Sequence, residues 1–146
     1  VKVDGRAPAW LVAALVHELH PAAVAVNSPD GFVPVGCQLP VGEGRGIEFR
    51  VAELSNGWTL VEFLLDPSVP LNPDGLEQVA PPDLGMGRRI VVSGRGPNWL
   101  TASLAMAYHG QAKTVACYQP GLGATTVWTH STEIDLGSVH MFEELP

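Results

Sequence analysis

One stretch of this chain occurs twice, and that repetition limits what it can fold into. Lys2-Val3-Asp4-Gly5-Arg6-Ala7-Pro8-Ala9-Trp10-Leu11 returns 89 positions later as Val91-Val92-Ser93-Gly94-Arg95-Gly96-Pro97-Asn98-Trp99-Leu100. Between Val3 and His20, nine of the eighteen paired positions are identical: Val3, Gly5, Arg6, Pro8, Trp10, Leu11, Ala13, Leu15 and His20. Unrelated residues would agree at about one of them, so the chain contains an internal repeat.

Each copy reads strand, glycine turn, helix. A β-branched run ends in Gly-Arg-x-Pro, after which the apolar spacing changes from two to three or four. Pro8 and Pro97 suit the first turn of a helix, where a missing N–H costs nothing. Such a turn aims backbone N–H groups and an arginine at a helix N-terminus, an arrangement that binds phosphate. A plain corner with a solvent-facing arginine would look the same, and two copies holding the same Arg and Trp leave both readings open. Trp10 and Trp99 read as core anchors rather than base-stacking platforms.

At 146 residues the chain suits one compact domain or two small units sharing a core. No run approaches the ~20 apolar residues of a membrane span, and no signal-peptide pattern precedes the first strand. Cys37 and Cys117 stand without zinc spacing or a disulfide framework, which favours a reducing cytoplasm. A net charge of -7 argues against a general binder of long nucleic acid, though not against a small phosphate ligand held by local arginines.

In chain order, strands are expected at Lys2–Asp4, Ala22–Val26 and Phe32–Val35, with a helix from Pro8 to Leu19 stopped by Pro21. Asn27-Ser28-Pro29-Asp30-Gly31 reads as a tight turn. The glycine-rich Gly42-Glu43-Gly44-Arg45-Gly46 is the best boundary. Ile47–Glu53 and Trp58–Leu65 form a hairpin across an Asn-Gly signal. Asp66–Gly87 should be mostly loop, with one helical turn near Leu76–Val79. Then follow a strand at Arg89–Ser93, a helix from Pro97 to Tyr108, strands at Thr114–Tyr118 and Ala124–Thr129, and a last one at Ser138–Phe142. Glu143-Glu144 reads as solvated tail.

Residues 47–131 resemble a whole member of the small ring nucleases of type III CRISPR systems, the Csx-three type. The resemblance rests on Trp58-Thr59-Leu60-Val61-Glu62-Phe63, on Ile90-Val91-Val92-Ser93-Gly94-Arg95-Gly96-Pro97-Asn98-Trp99-Leu100, on Ala107-Tyr108-His109, and on Pro120-Gly121-Leu122-Gly123-Ala124 running to Thr129-His130-Ser131. Residues 1–46 resemble the back half of a second, more divergent unit. The resemblance implies an α/β fold of small mixed sheets with one helix per unit. The two quasi-repeated units would pack as a pseudo-dimer, residues 1–46 partial and residues 47–146 complete with a tail.

It also implies a ligand, cyclic tetra-adenylate, and a reaction, its linearisation by phosphodiester cleavage, which switches off type III CRISPR signalling. Carried over residue by residue, the catalytic histidine falls on His109 and, in the first copy, on His20. Ligand contacts fall on Ser93, Gly94, Arg95 and Gly96, on Gly5 and Arg6, and on Gln119 and His130. The family's Asp-Pro-Arg turn is Gln119-Pro120-Gly121 here and Ser28-Pro29-Asp30 in the first copy, so its carboxylate stands at neither position. Asp30 could substitute only in a reshaped turn. The sequence itself requires no cofactor, and the resemblance allows manganese. A homo-oligomer or stacked assembly is implied as well.

The chemistry can be read without the family. Cleaving an RNA-type phosphodiester takes a base for the 2′-hydroxyl, an acid for the leaving oxygen and positive charge at the phosphate. Two histidines and two arginines supply these. Because an arginine starts each helix and a histidine ends it, one small ligand cannot touch both ends of the same helix. His17 and His20, at i and i+3, form a weaker metal candidate. The alternative to a ring nuclease is a non-catalytic module that senses or sequesters the messenger.

Overall fold

The computed structural model describes residues 1–29, 31–35, 41–42 and 47–145. Asp30, Cys37 and most of the glycine-rich boundary lie outside the described residues.

The first copy of the repeat gives β1 (Lys2–Val3), α1 (Ala9–Leu19), β2 (Val24–Ser28) and β3 (Gly31–Val35). These strands form a three-stranded sheet in which β1 runs parallel to β2 and β2 antiparallel to β3. The rest of the chain supplies β4 (Glu48–Glu53), β5 (Trp58–Leu64), β6 (Arg89–Ser93), α2 (Asn98–Ala107), β7 (Thr114–Gln119), β8 (Gly123–Thr129) and β9 (Val139–His140). Its six-stranded sheet follows the order β4-β5-β6-β7-β8-β9 and is parallel between β5, β6 and β7. The architecture is mixed α/β, two helices with two mixed sheets.

The connectivity β1–α1–β2–β3 reappears as β6–α2–β7–β8, with the same strand directions. Register carries the likeness past the identical residues. Lys2 pairs with Ala25 and Val3 with Val26, while Val91 pairs with Ala116 and Val92 with Cys117. The expected Asn27–Gly31 turn is tighter than the sequence suggested, because Asn27 and Ser28 remain in β2 opposite Phe32 and Gly31. The Asn-Gly hairpin turn forms, with Asn56 and Gly57 both at positive φ. In the proline-rich arm, the helical turn is a 3₁₀ segment at Pro73–Gln78.

Alternation along β6 divides the interior between the two faces of the larger sheet. Ile90 and Val92 face a core shared by both copies, with Val12, Val16, Val26 and Val33 contributed by the first and Trp99, Leu100 and Leu104 by the second. Val91 faces the other way, onto Leu54, Trp58, Leu60 and Phe142. The tail, expected to be solvated at Glu143-Glu144, is therefore partly built in. Phe142 is buried, and the Glu144 carboxylate accepts hydrogen bonds from the Ser55 N–H and hydroxyl at 2.9 and 3.3 Å. An apolar sheet face needs a cover, and this segment is close enough to supply one.

The helices pack against each other and reach across. Apart from α2, α1 lies mainly on β7 and β8, while α2 lies on β2 and β3 as well as on β6 and β7. They run side by side in the same direction. At one end the Asn98 side-chain amide donates to the Ala7 carbonyl at 2.9 Å; at the other the His20 and His109 rings meet, 5.2 Å between centroids. Both glycine turns thus share one end of the helix pair, and both terminal histidines share the opposite end. Among the described residues, no helix is long and apolar enough to cross a membrane.

Candidate functional site

The histidine end is assembled from both copies of the repeat. His17 and His20 come from α1 and the residue after it, on one helical face because they stand three apart. His109 follows α2, and His130 follows β8. His109 is the hub, with ring centroids 5.1 Å from His17, 5.2 Å from His20 and 5.9 Å from His130.

Trp128 is the floor of this cluster. Pairing between β7 and β8 steps from Val115↔Trp128 to Ala116↔Thr126, so Val127 is an extra residue on β8. Such a bulge resets side-chain alternation, and Val127 and Trp128 both join the shared core. Trp128 is 1% exposed and donates its indole N–H to the Ala105 carbonyl at 3.2 Å. His17 stacks on it at 5.6 Å with 15° between planes, and His109 and His130 pack against it at 5.4 and 5.3 Å.

Burial is the first cause that holds the basicity of His109 and of His17 below the ordinary histidine value; neighbouring imidazoles push the same way. For His109 these are His20 and His130, and for His17 chiefly His109, against which Glu18 pulls from 3.8 Å. A ring kept neutral near pH 7 is available to accept a proton. His17 Nδ1 is buried without a hydrogen-bond partner. His17, which the sequence pairs only with His20 and which is Met106 in the second copy, is brought to His109 by the parallel packing of the helices.

The arginine end lies on the far side of α2, ten residues and about 15 Å along the helix. Ser93 closes β6, and Gly94, Arg95 and Gly96 are exposed. Gly94 has φ +147, and a Cβ there would lie 2.6 Å from the Phe63 carbonyl oxygen, so the turn depends on glycine. Arg95 lines a groove of ≈ 440 Å³ at the carboxyl ends of β5, β6 and β7, together with Arg50, Glu62, Ser93, Tyr118 and Glu144. That edge of a parallel sheet is where ligands usually bind in open α/β folds. A larger cavity of ≈ 650 Å³ lies along the proline-rich arm, with Glu48 and Asp66 as its charged lining and no arginine.

Gln119 ends β7 on the arginine side, and its Oε1 is buried without a partner. The first-copy turn differs. Gly5 and Arg6 are exposed, but the Gly5 N–H donates to Asp4 Oδ1 at 2.7 Å, and Asn27 donates to the same oxygen at 2.6 Å. The proposed ligand residues therefore divide into two ends, with His130 beside His109 and His20, and the glycine turns and Gln119 opposite.

Among the described residues, no group of three or more His, Cys, Asp or Glu side chains is arranged to hold a metal ion. The His17–His20 pair is directed at His109 instead. Among the described residues the histidine cluster includes no carboxylate set of the kind manganese takes, and no step is assigned to that ion. Cys117 is a free, buried thiol, its pKa pushed up to about 12 by burial.

Two comparisons bear on this arrangement. Residues 1–40 and 64–141 match the model of a family described as CRISPR-associated protein (Cas_csx3). The stretch Trp58–Phe63 lies outside both matched segments. The chain is also 34% identical over 106 residues to an uncharacterized protein of Aquifex aeolicus (strain VF5), covering 69% of this chain and 93% of that protein.

Proposed function

The chain belongs to the Csx3 family of CRISPR-associated proteins, and from that premise we propose that it binds cyclic tetra-adenylate and linearises it by phosphodiester cleavage. The observation that carries this reading is the contact between His20 and His109, 5.2 Å between ring centroids, within a cluster where burial depresses the basicity of His109. A neutral His109 takes the proton of a ribose 2′-hydroxyl. The 2′-oxygen attacks the adjacent phosphorus, and the 5′-oxygen leaves with a proton given by His20 as general acid. A 2′,3′-cyclic phosphate and a 5′-hydroxyl result, and atoms and charge balance without an outside reagent.

The two ends of the helix pair are too far apart for one small ring to touch both. A second chain stacked head to tail would bring its arginine end over the histidine end of the first, so the ring lies between molecules. In this reading residues 1–46 and 47–146 act as the two halves of a pseudo-dimer, which the reciprocal packing of each helix on the other copy's sheet supports. A closed pair of like units has that reciprocity.

A messenger-binding module without cleavage is the second reading, favoured by Gln119-Pro120-Gly121 standing where the resemblance expects Asp-Pro-Arg. Incubating the chain with cyclic tetra-adenylate, with and without manganese, and resolving the products separates the two. Linear tetra-adenylate as product supports the nuclease; tight binding with intact ring supports the module.

A further inference from the structure

Building on the messenger-binding reading, we propose that the two glycine turns are no longer equivalent: the second opens into a single groove for an adenine nucleotide, and the first has closed its own anion site. The repeat replaces Ser93 by Asp4. Asp4 uses its carboxylate on the Gly5 N–H at 2.7 Å, and Asn27 holds that same oxygen at 2.6 Å. A phosphate arriving there would meet a negative charge and an amide already satisfied. At the second turn Ser93 brings no such charge.

The second turn also has walls that the described residues of the first copy do not supply. The β4–β5 hairpin contributes Phe63, Leu64 and Leu65, which with Leu145 of the tail make an apolar lining, while Arg95 stands beside them. The ≈ 440 Å³ enclosed falls within the range of small-ligand pockets. Two polar groups in the lining retain bonding capacity. Glu62 accepts from Arg50 Nε through Oε1 at 2.9 Å, which leaves its other oxygen as an acceptor. The Tyr118 hydroxyl is buried without a partner.

Of the charged groups in the lining, Arg50 is bonded to Glu62 and Glu144 to Ser55. An apolar slot that keeps a Glu62 oxygen, the Tyr118 hydroxyl and Arg95 for a ligand suits a purine with an exocyclic amine, carrying phosphate toward the turn. Adenine offers that amine to Glu62 and a ring nitrogen to the Tyr118 hydroxyl. Hypoxanthine places an oxygen where the amine was, facing the carboxylate. The groove thus supplies a choice of base that phosphate contacts alone cannot make.

Adenosine and inosine monophosphates titrated into the full chain, followed through backbone amide resonances, test this. Adenosine monophosphate should shift Ser93–Gly96 and leave Gly5–Ala7 in place, and should bind more tightly than inosine monophosphate. Glu62→Gln should lower that preference by about tenfold, and Tyr118→Phe should weaken adenosine monophosphate alone. Asp4→Ser should make the first-turn amides respond. Equal shifts at both turns of the unaltered chain would overturn the proposal. So would adenosine monophosphate binding that ignores both groove variants while cyclic tetra-adenylate still binds, which removes the groove but spares the messenger. If neither nucleotide nor ring binds, the messenger reading falls and takes the groove with it.

Discussion

His20 and His109 hold the same place in two copies of one sequence motif, 89 positions apart, and their rings meet with centroids 5.2 Å apart. The meeting follows from the parallel helices. Two equivalent residues can touch in this way only near the line about which their copies are related, so this end of the helix pair becomes one composite site. His17, at Met106 in the second copy, and His130 make it unsymmetrical, which fits unequal roles for the two terminal histidines.

His109→Ala should lower single-turnover linearisation of cyclic tetra-adenylate by about 10²–10⁴, the usual cost of a missing general acid or base. His20→Ala should cost less, because His17 and His130 remain beside His109 as proton carriers. Binding should change little in either. Rapid-quench assays with calorimetric affinities check the split, and an unchanged rate in His109→Ala would remove it from the reaction.

Arg95→Ala should weaken binding by about 1.5–3 kcal/mol, the scale of a hydrogen bond to a charged group. Arg6→Ala should change it much less, since Asp4 already occupies the first turn. Calorimetry on both variants gives the comparison; a larger loss for Arg6 would reverse the assignment of the two turns.

Folding stability should fall on acidification below about pH 6.5. His109, His17 and His140 all bind a proton less readily when folded than in the open chain. Between the unfolded value and the lower folded ones, the unfolded state binds more protons, so stability rises with pH there. It should be level above that window and lost as pH falls through the folded values. Melting temperatures across pH 5 to 8 measure it, and replacing His109 with Gln should flatten the curve.

Gly94→Ala should destabilise the chain by at least about 1–3 kcal/mol, combining a strained positive φ with crowding. Its Cβ would sit 2.6 Å from the Phe63 carbonyl oxygen and 2.7 Å from the ring. Gly5→Ala keeps only the backbone strain, because nothing lies within 4 Å of the Cβ position. Chemical denaturation should therefore rank Gly94→Ala as the more damaging of the two.

Trp128→Ala should cost about 3–5 kcal/mol, as for other large aromatics removed from a core. It should also disturb His17, His109 and His130 together, since all three rest on the indole. Imidazole resonances followed by NMR would register the common change; separate, unaltered titrations would show that Trp128 does not organise the cluster.

Sequence by itself determined the local pieces. Apolar spacing, Gly-Arg-x-Pro and the Asn-Gly turn act within a few residues, so the strands, both helices and the β4–β5 hairpin were legible to within a residue or two at most ends. The repeat also fixed which residues are equivalent, and it singled out His20, His109, Arg6 and Arg95. Tertiary structure alone decided what those residues meet. That the helices run parallel depends on how two apolar faces share one core, and only this turns His17 toward His109. The bulge at Val127 aims Trp128 under the cluster, a matter of register between strands. Asp4 looks like a neutral variation of Ser93 until Asn27, brought alongside by the pairing of β1 with β2, fixes its carboxylate on the turn. The tail looked solvated because its charges were visible in sequence and the sheet face it covers was not.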